Sequence, residues 1–516
     1  MHNTAPRNVV SLPADRPVRK WLLSQVMPTY VDLLFQALDA EPDTVAFAWD
    51  GGSVTYAEAA VRIARIAHAF RAAGLREGDG VAMLSTNHPE AFLLMAGALT
   101  AGCRYTPLHP LGSAADHSAV LERAQVSAFL FEEEVYGEHV KALTHVPELV
   151  WAVGGLPYDA QPSTRPTVEI GPDDLAFLPF TGGTTGVPKG VMLPHRVLVT
   201  NAVMTLAGWD LPDRPRYLAV TPVSHAAGVI VIPVLLRGGT VILQRRFSLD
   251  EFVSNIVIFR PNITFLVPAI IYALLDAGVD LSGFETVVYG AAAMSPERLA
   301  EAIDLFGPIF MQLYGQTEAP NTVTALRRAD HTPSTLATCG RPVPGIAVRL
   351  LGQDGAEVAV GEVGEICVRG PLVMAGYWRE PELTAETLRG GWLHTGDLAW
   401  RDERGYLTIV DRVKDMVVTG GFNVYSREVE DVLAQHPAVA QVAVVGVPDP
   451  RWGEAVTAVV VARASVPAEE LIAFVKERKG PVHAPKQVRF VDALPLTALA
   501  KPDKKALRLW LSCDQP

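Results

Sequence analysis

Hydrophobic residues recur along the chain at two spacings, and the alternation of these spacings predicts the fold. Residues 56–73 carry apolar side chains at helical intervals, and Gly74 marks the end of that helix. Short apolar runs at 81–84 and 104–107 flank a second helical pattern at 89–101. Strands that alternate with helices in this way are typical of a parallel sheet covered by helices.

The same spacings predict the remaining elements. Further helices are predicted at 114–124, 197–207, 269–276, 428–435 and 468–479. Further strands are predicted at 127–131, 175–180, 217–221, 240–244, 263–267, 286–289, 309–313, 442–445, 455–461 and 488–490, together with a hairpin over 45–55. From about Arg341 short strands between glycine turns, at 347–351 and 364–368, favour a small β-barrel or sandwich.

These elements predict an α/β protein with two domains. We expect an N-terminal domain, residues 29–411, with two helix-covered parallel-type sheets plus a small β-barrel. A small α+β domain, residues 412–516, follows without a low-complexity linker, which predicts a tight hinge between the two. Residues 1–28 are basic, contain proline and lack the apolar core of a signal peptide, so we expect a flexible leader.

The composition limits the classes of function. With 516 residues, of which 49% are hydrophobic, the chain is long enough to bury more than one core. Its formal net charge of −12 argues against a nucleic-acid-binding protein, since those carry basic faces. The longest apolar run, 226–236, contains Pro233 and falls short of the ~20 residues that a membrane-spanning helix needs.

The cysteines indicate a reducing compartment. They are far apart and have neither a CxxC motif nor the spacing of metal ligands: Cys103, Cys339, Cys367 and Cys513. This pattern is typical of reduced, structural thiols, so we expect a cytoplasmic protein.

A loop rich in glycine and threonine is the clearest candidate for chemistry. Residues 180–195 read FTGGTTGVPKGVMLPH. Glycines bring backbone N–H groups close to a ligand, and threonine hydroxyls and Lys189 add donors and a positive charge, so the loop can hold the phosphates of a nucleotide. A Walker A loop is excluded, because Pro188 precedes Lys189 and Gly190 follows it. The remaining alternative is an ordinary surface turn.

This loop resembles the phosphate loop of the adenylate-forming superfamily, which includes acyl-CoA synthetases, adenylation domains of peptide synthetases and beetle luciferases. The resemblance extends from about Thr44 to Leu507, although Gly182 stands where serine is more common. Two further motifs carry it: YGQTE at 314–318, and the stretch 391–430 with Asp397 after HTG. An aromatic ring can stack on a base, a hydroxyl can meet a phosphate, and a carboxylate can hold Mg²⁺ or both ribose hydroxyls.

The resemblance implies a role for each matching residue. It implies that Tyr314 stacks on adenine, Thr317 contacts the α-phosphate, Glu318 holds magnesium, and Asp397 and Arg412 hold the ribose. The full set of implied ATP or AMP contacts is Thr181, Gly182, Gly183, Thr184, Thr185, Gly186, Lys189, Gly290, Ala291, Ala292, Tyr314, Gly315, Gln316, Thr317, Asp397, Arg412, Asn423 and Lys501.

The C-terminal motifs imply a mobile domain. By resemblance, Lys414 is the hinge about which the small C-terminal domain pivots, and Gly420 and Gly421 lie beside the pantetheine of CoA. Lys501, in PLTALAKPDKKALR near the C-terminus, matches the catalytic lysine, which acts with Thr317 and Glu318; Ala500 replaces the usual glycine before it. Ser426 stands where these ligases usually have proline, and its residue type suggests no chemical role.

The segment VSHAAG at 223–228 resembles the one that carries a pocket-gating histidine, here His225. A histidine with a purely structural role is the alternative. The residues that would line the acyl pocket are His225, Ala226, Gly228, Ala269 and Gly290. Relatives that activate amino acids place an aspartate here to hold the amine, and no acidic residue occurs from 220 to 228. An apolar acid is therefore favoured, with fatty and aromatic acids both open.

The sequence predicts an AMP-forming acyl-CoA ligase that uses ATP, Mg²⁺, coenzyme A and a small carboxylic acid. Three alternatives stay open: transfer of the adenylate to a carrier protein or an amine, a specialised biosynthetic relative, and a non-catalytic nucleotide-binding module. We expect a monomer or homodimer that has no transmembrane segment and binds no nucleic acid.

Overall fold

A computed structural model describes residues 27–181, 188–497 and 502–513. Several predicted features lie outside these ranges: nearly all of the leader, the central loop residues Gly182, Gly183, Thr184, Thr185 and Gly186, and both Ala500 and Lys501.

Helices occur in every part of the described chain. They are α1 (Tyr30–Ala40), α2 (Tyr56–Ala72), α3 (Pro89–Thr100), α4 (Ala114–Arg123), α5 (Glu133–Lys141), α6 (His195–Gly208), α7 (Val231–Leu236), α8 (Leu249–Phe259), α9 (Pro268–Asp276), α10 (Pro296–Phe306), α11 (Pro381–Thr387), α12 (Ser426–Ala434), α13 (Ala468–Lys479) and α14 (Lys504–Cys513). Short 3₁₀ helices occur at Ala226–Ile230, Arg328–Asp330 and Arg389–Gly391.

The strands alternate with these helices in the first two thirds of the chain. They are β1 (Val45–Trp49), β2 (Gly52–Thr55), β3 (Gly80–Leu84), β4 (Arg104–Pro107), β5 (Val126–Phe131), β6 (Leu149–Ala152), β7 (Leu175–Phe177), β8 (Phe180–Thr181), β9 (Lys189–Pro194), β10 (Arg216–Ala219), β11 (Thr240–Leu243), β12 (Ile263–Leu266), β13 (Thr286–Tyr289), β14 (Phe310–Gln316), β15 (Ala319–Leu326), β16 (Arg341–Pro342), β17 (Ala347–Leu351), β18 (Gly364–Arg369), β19 (Gly376–Tyr377), β20 (Leu393–Arg401), β21 (Leu407–Arg412), β22 (Val417–Thr419), β23 (Phe422–Val424), β24 (Val439–Asp449), β25 (Gly453–Ala462) and β26 (Gln487–Phe490).

Two large sheets form the body of the protein. A nine-stranded sheet has the order β16-β15-β14-β13-β12-β10-β11-β1-β2, and an eight-stranded sheet has the order β19-β9-β7-β4-β3-β5-β6 with β8 paired to β9. The central pairings of both are parallel, such as β12 with β13 and β3 with β5. This confirms the predicted α/β class with two parallel-type sheets.

Two smaller sheets follow in the chain. The region predicted as a small β-barrel is a four-stranded antiparallel sheet, β17-β18-β20-β21, whose outer strands do not pair with each other among the described residues. Beyond it, β23-β22-β25-β24 and β26 form a five-stranded sheet. Here the hairpin of β24 and β25 is longer than predicted, because both strands continue to the turn at 450–452.

Helix α2 illustrates how the sequence pattern determines an element. Thr55 accepts a hydrogen bond from Glu58 N, and Glu58 Oε2 accepts one of 2.9 Å from Thr55 N, which caps the helix start at both groups. The apolar face is fully buried and packs on α3. A Cβ on Gly97 of α3 would lie 2.2 Å from Ile66 Cγ2, so glycine is needed for this close approach.

The hydrophobic cores follow the sheets. The main core combines residues of both large sheets, for example Phe47 and Tyr217 with Val81 and Tyr105. The residues beyond Arg412 have a core of their own around β22, β24, β25, α12 and α13. That separate core is compatible with the predicted boundary at 411 and 412, which stays a prediction. Within the described ranges, no helix is both long and apolar enough to cross a membrane.

Two apolar runs fold differently from the prediction. The strand predicted at 175–180 is broken into β7 and β8, and the break at Leu178 and Pro179 follows from the proline, which cannot donate to a strand ladder. The strand predicted at 309–313 continues to Gln316 as β14, because it pairs antiparallel with β15. Tyr314 therefore lies on β14 itself, one residue beyond the predicted end of the strand.

Candidate active site

The predicted ribose contacts Asp397 and Arg412 come together on neighbouring strands. β20 and β21 pair with Asp397 directly opposite Arg412, and Arg412 Nε lies 3.1 Å from Asp397 Oδ1. The other oxygen, Oδ2, accepts a hydrogen bond of 2.8 Å from the hydroxyl of Tyr314 on β14. Asp397 is buried, whereas the Arg412 side chain is 53% exposed, so the guanidinium faces solvent and a ligand can reach it.

The residues just before Asp397 on β20, His394, Thr395 and Gly396, are held by hydrogen bonds to β18. Glu365 Oε1 accepts a hydrogen bond of 2.9 Å from Gly396 N, and Glu365 Oε2 lies 2.7 Å from His394 Nδ1. Thr395 Oγ1 donates to the Ile366 carbonyl at 2.7 Å and accepts from Asp397 N at 3.1 Å. These bonds fix the HTG residues against β18, and the bond from Asp397 N to Thr395 Oγ1 joins Asp397 to them.

Tyr314 is a permanent hydrogen-bond donor in this site. Burial and the neighbouring carboxylate of Asp397 raise the pKa of Tyr314 well above its usual value, so its hydroxyl keeps its proton. Next to it, a Cβ on Gly315 would lie 2.6 Å from Asn321 N, which explains the glycine in the motif.

Thr317 and Glu318 form the turn that joins β14 to β15. Glu318 is buried, and its Oε1 accepts a hydrogen bond of 2.8 Å from the hydroxyl of Tyr377. Its backbone carbonyl accepts a bond of 2.8 Å from Met374 N. Burial and the neighbouring Glu318 raise the pKa of Tyr377, so this phenol also donates. Nothing in the sequence pairs Tyr377 with a residue 59 positions away.

The two ends of the phosphate loop are held side by side. β8 pairs antiparallel with β9, with Thr181 opposite Lys189, so the predicted loop is closed by a short ladder. The Lys189 ammonium lies 5.6 Å from the centre of the Tyr377 ring. Tyr377 thus contacts one predicted phosphate ligand and the predicted metal ligand.

The predicted adenine segment follows β13. A Cβ on Gly290 would lie 2.7 Å from the Leu313 carbonyl oxygen, so only glycine fits against β14 here. Ala291 has a φ of +63°, unusual for an L-residue. Ala291 and Ala292 are exposed, which leaves their backbone accessible to a ligand.

His225 is a neutral imidazole in an uncharged environment. Burial and the neighbouring His109 lower its pKa to about 3. The rings of His109 and His225 meet edge to face at 4.8 Å, and Ser224 Oγ lies 2.8 Å from His225 Nδ1. His109 was not among the predicted residues; it follows β4, far from the VSHAAG segment in sequence.

The predicted acyl segment, residues 223–228, is held in place by the side chain of Asn87. Asn87, also not predicted, donates to the carbonyls of Ala219, Thr221 and Gln244 and accepts from Val223 N at 2.8 Å. A Cβ on Gly228 would lie 1.9 Å from the Val223 carbonyl oxygen, so this glycine is required for packing. Beside Val223 and Ser224 a cavity of about 20 Å³ has a mostly apolar lining, which is too small for an acyl chain without movement.

Of the remaining predicted acyl residues, Ala226 lies in the same segment and Ala269 lies on helix α9. The Ala226 carbonyl accepts a hydrogen bond of 2.9 Å from Asn321 Nδ2, and Ala269 is exposed in the first turn of α9. No hydrogen bond joins Ala269 to His225 within the described residues.

The predicted CoA residues Gly420 and Gly421 form the turn of the β22–β23 hairpin, with φ values of +58° and +82°. Gly420 N donates to the Trp452 carbonyl at 2.7 Å, and a Cβ on Gly420 would lie 3.2 Å from the Trp452 ring. Gly421 and Asn423 are exposed. Among the described residues, no hydrogen bond or ion pair joins them to Tyr314, Asp397 or Arg412, which lie in other sheets.

The predicted hinge residue Lys414 lies two residues after the end of β21. Its carbonyl accepts a hydrogen bond of 3.2 Å from Arg508 on α14, and Arg508 also lies 2.8 Å from Asp415 Oδ1. The last described helix is thus bonded to the predicted hinge residue and to the residue after it.

Ser426, which the sequence left without a role, is the centre of a buried polar group. Its backbone N and its hydroxyl both donate to the carboxylate of Asp411, the hydroxyl at 3.2 Å. Lys504 Nζ donates to Ser426 Oγ at 2.7 Å and also pairs with Glu430 at 2.7 Å. Proline has no N–H and no hydroxyl, so it could not make these contacts.

Comparisons with known proteins agree with these motifs. A family model described as AMP-binding enzyme matches residues 34–378, and one described as AMP-binding enzyme C-terminal domain matches residues 428–501.

Two relatives and one solved structure resemble the chain along most of its length. The medium/long-chain fatty acid–CoA ligase FadD8 of Mycobacterium tuberculosis is 47% identical over 487 residues, covering 88% of this chain and 85% of that protein. Feruloyl-CoA synthase of an Amycolatopsis species is 40% identical over 470 residues, covering 89% and 94%. The amide bond synthetase McbA of Marinactinospora thermotolerans has a TM-score of 0.85 and 35% identity, covering 93% and 99%.

The family models, the relatives and the fold together confirm the resemblance drawn from the loop, the YGQTE motif and Asp397. The chain therefore belongs to the AMP-binding enzyme family, in the acyl-CoA ligase branch of the adenylate-forming superfamily.

Proposed function

We propose that the protein activates a hydrophobic carboxylic acid with ATP and passes the acyl group to coenzyme A. The observation that carries this proposal is the contact of Tyr314 with Asp397 and of Asp397 with Arg412, next to the turn that holds Glu318. These groups supply an aromatic ring, a carboxylate and a guanidinium, which suit the base and ribose of a nucleotide.

In the first half-reaction a carboxylate oxygen of the acid attacks the α-phosphorus of ATP. The bond from that phosphorus to the bridging oxygen breaks, and pyrophosphate leaves with the electron pair. Thr181, Lys189, Thr317 and Lys501 stabilise the charge that spreads over the phosphate oxygens. The protein acts by positioning and electrostatics, without a covalent enzyme intermediate.

Glu318 fits a magnesium ligand on the evidence of its own contacts. It is buried, one oxygen accepts a neutral hydrogen bond, and no described lysine or arginine lies within ion-pairing distance of it. Magnesium sites in nucleotide enzymes use one or two carboxylates together with substrate phosphates. When bound, Mg²⁺ supplies positive charge that offsets the charge on the phosphates.

In the second half-reaction the CoA thiolate attacks the acyl carbon and AMP leaves. We propose that rotation about Lys414 removes Lys501 and brings Gly420 and Gly421 to the site. Arg508 contacts the Lys414 carbonyl and Asp415, so a rotation here is passed to α14, whose first residue is three positions after Lys501. Such gating keeps the two half-reactions apart.

The acid is apolar. His225 is neutral, and the only charged or titratable neighbour that affects it among the described residues is His109. A substrate ammonium would find no carboxylate there. Medium- and long-chain fatty acids are the first candidates and aromatic acids the second, in line with the two relatives. A cytoplasmic location and a monomeric or homodimeric state stay predictions.

A second candidate function is transfer of the acyl-adenylate to an amine. The similarity to an amide bond synthetase, at 35% identity over nearly the whole chain, favours it. Transfer to a carrier protein shares the same first half-reaction.

Two assays test the function. Pyrophosphate release is measured over a panel of fatty, aromatic and amino acids, and the product of the best acid is identified by mass spectrometry with CoA, amines or a carrier protein as acceptor. We expect apolar acids and CoA to give the highest rates. A free amino acid as the best substrate would overturn the proposed acid, and a product formed only with an amine or a carrier would overturn the acceptor.

A further inference from the structure

Tyr377 occupies a position in the site that no motif accounts for. It is buried, its hydroxyl donates to Glu318 Oε1 at 2.8 Å, and its ring lies 5.6 Å from the Lys189 ammonium. It therefore contacts a strand that closes the phosphate loop and the turn that carries the metal ligand.

The backbone of Tyr377 is fixed on both sides. Ala375 N donates to the Met192 carbonyl at 2.9 Å, and Trp378 N donates to the Gly190 carbonyl at 2.8 Å. Tyr377 N itself donates to Thr384 Oγ1 at 2.9 Å. A ring held by a strand pair and a helix has little freedom, so the position of its hydroxyl is set before any ligand binds.

The Tyr377 hydroxyl bonds to the Glu318 carboxylate, with which the nearby Lys189 ammonium could have formed an ion pair instead. Lys189 lies close to the same ring, yet the described residues show no ion pair between Lys189 and Glu318. An ion pair would neutralise the charge that a cation needs. Tyr377 instead gives one oxygen a neutral donor, and Oε2 carries no hydrogen bond from the described residues.

We propose that Tyr377 is a positioning residue that holds Glu318 in the orientation required to bind the divalent cation of the ATP complex. This inference rests on the proposed function, because it assumes that Glu318 is the metal ligand. Hydrogen-bond partners of metal ligands typically contribute 10–100-fold in metal affinity.

The variant Tyr377→Phe removes one oxygen and keeps the ring. The matched control is Tyr158→Phe, since the Tyr158 hydroxyl donates to Glu90 Oε2 at 2.9 Å, a similar pair outside the site. Mn²⁺ affinity is measured by electron paramagnetic resonance in the presence of a non-reactive ATP analogue. We expect about 10-fold weaker Mn²⁺ binding in Tyr377→Phe and no change in Tyr158→Phe.

Two further measurements separate positioning from general damage. The adenylation rate of Tyr377→Phe is expected to recover as Mg²⁺ is raised, while conversion of supplied acyl-adenylate with CoA keeps its wild-type rate. In a Glu318→Gln background, Tyr377→Phe is expected to weaken Mn²⁺ binding no further. Thermal unfolding checks that each variant is folded.

The outcomes are distinguishable. Wild-type Mn²⁺ affinity in folded Tyr377→Phe, or an additive loss in the double variant, overturns the role of Tyr377. If Tyr377→Phe does not fold, Thr384→Val, which removes the acceptor of Tyr377 N, is measured in its place and must show the same Mn²⁺ loss. Absence of acid-dependent pyrophosphate release in the wild type overturns the proposed function, whatever the Mn²⁺ result.

Discussion

The proposed nucleotide end and the proposed acyl end of the site are held together by different interactions. At the nucleotide end, Tyr314, Asp397 and Arg412 meet through hydrogen bonds of 2.8 and 3.1 Å from separate strands. At the acyl end, the imidazole rings of His225 and His109 meet edge to face. The segment that carries His225 is held by a hydrogen bond from Val223 N to the Asn87 side chain. One end is a network that includes a carboxylate and a guanidinium, and the other is an uncharged segment held by ring packing and backbone hydrogen bonds.

This difference suits the two ligands. ATP is the same in every reaction cycle, so directional hydrogen bonds can be fixed once for it. The acid differs between relatives, and apolar packing can accept a new shape through changes of side-chain volume. Substitutions at the nucleotide end are therefore expected to affect all acids equally, whereas substitutions at the acyl end change the ranking of acids.

The largest effect is expected for Glu318→Ala at the nucleotide end. Loss of the carboxylate removes the proposed metal ligand, so we expect adenylation to fall by about 10³-fold or more with every acid. Pyrophosphate release measures it, and circular dichroism checks the fold. Normal release from this variant would remove Glu318 from the mechanism.

Lys501→Ala is expected to separate the two half-reactions. Losing a charge contact to the transition state costs roughly 10²–10³-fold in the ATP-dependent step. Conversion of supplied acyl-adenylate and CoA should stay near the wild-type rate. Equal loss in both steps, or in neither, would contradict the role given to this lysine.

Lys414→Pro is the counterpart of that variant. Proline restricts φ at the proposed hinge, so we expect adenylate still to form and thioester formation to slow by about 10-fold. Single-turnover measurement of each half-reaction tests whether Lys414 is the hinge. Slower adenylation with unchanged thioester formation would contradict that role.

Asp397→Asn tests the polar network directly. The amide keeps the size of the side chain but loses its negative charge. That charge pairs with Arg412 and strengthens the hydrogen bond that the carboxylate accepts from the Tyr314 hydroxyl. Hydrogen bonds to charged groups contribute about 1.5–3 kcal/mol, so KM for ATP should rise roughly 10–100-fold. The rise in KM for ATP should be the same with every acid. A rise that depends on the acid would contradict the expectation that the two ends act independently.

Gly228→Ala tests the packed end. The added Cβ would overlap the Val223 carbonyl, so the segment with His225 must shift. Overpacking of this kind costs about 1–3 kcal/mol, and we expect roughly 10-fold higher KM for the acid, a changed order of acids and an unchanged KM for ATP. Gly137→Ala on α5 is the control, since its nearest atom would lie 3.7 Å away.

The smallest effect is expected for the stability of the folded protein at low pH. Burial lowers the pKa of His225 to about 3, below the ~6.5 of a free histidine, so the unfolded chain binds the extra proton between these values. The free energy of unfolding should therefore fall as pH drops from about 6.5 towards 3. His225→Asn should reduce this slope in urea unfolding series. His195 and His117, with pKa values lowered to about 4, contribute to the same window and are unchanged in the variant.

The sequence could predict what depends on neighbours along the chain. The capped helix α2, the hairpin of β1 and β2, and the strands β4 and β13 occur at or within one residue of their predicted ends, because local apolar spacing and turn residues determine them. The motif residues were recognisable for the same reason, since each motif is a short contiguous string.

The tertiary structure decided which distant residues meet. Tyr377 and Glu318, His109 and His225, and Ser426 with Asp411 and Lys504 are contacts between separate elements, and no spacing in the chain encodes them. Strand pairing likewise extended β14 beyond its predicted end to include Tyr314, because β15 pairs with it.

The amino-acid sequence by itself thus determined the local elements, the family and the chemistry that the motifs offer. Only the folded chain decided how that chemistry is oriented. Hydrogen bonds and ring contacts act over a few ångströms in space, and the sheets bring side chains within that range whose separation along the chain is 59 residues for Tyr377 and Glu318 and 83 for Tyr314 and Asp397.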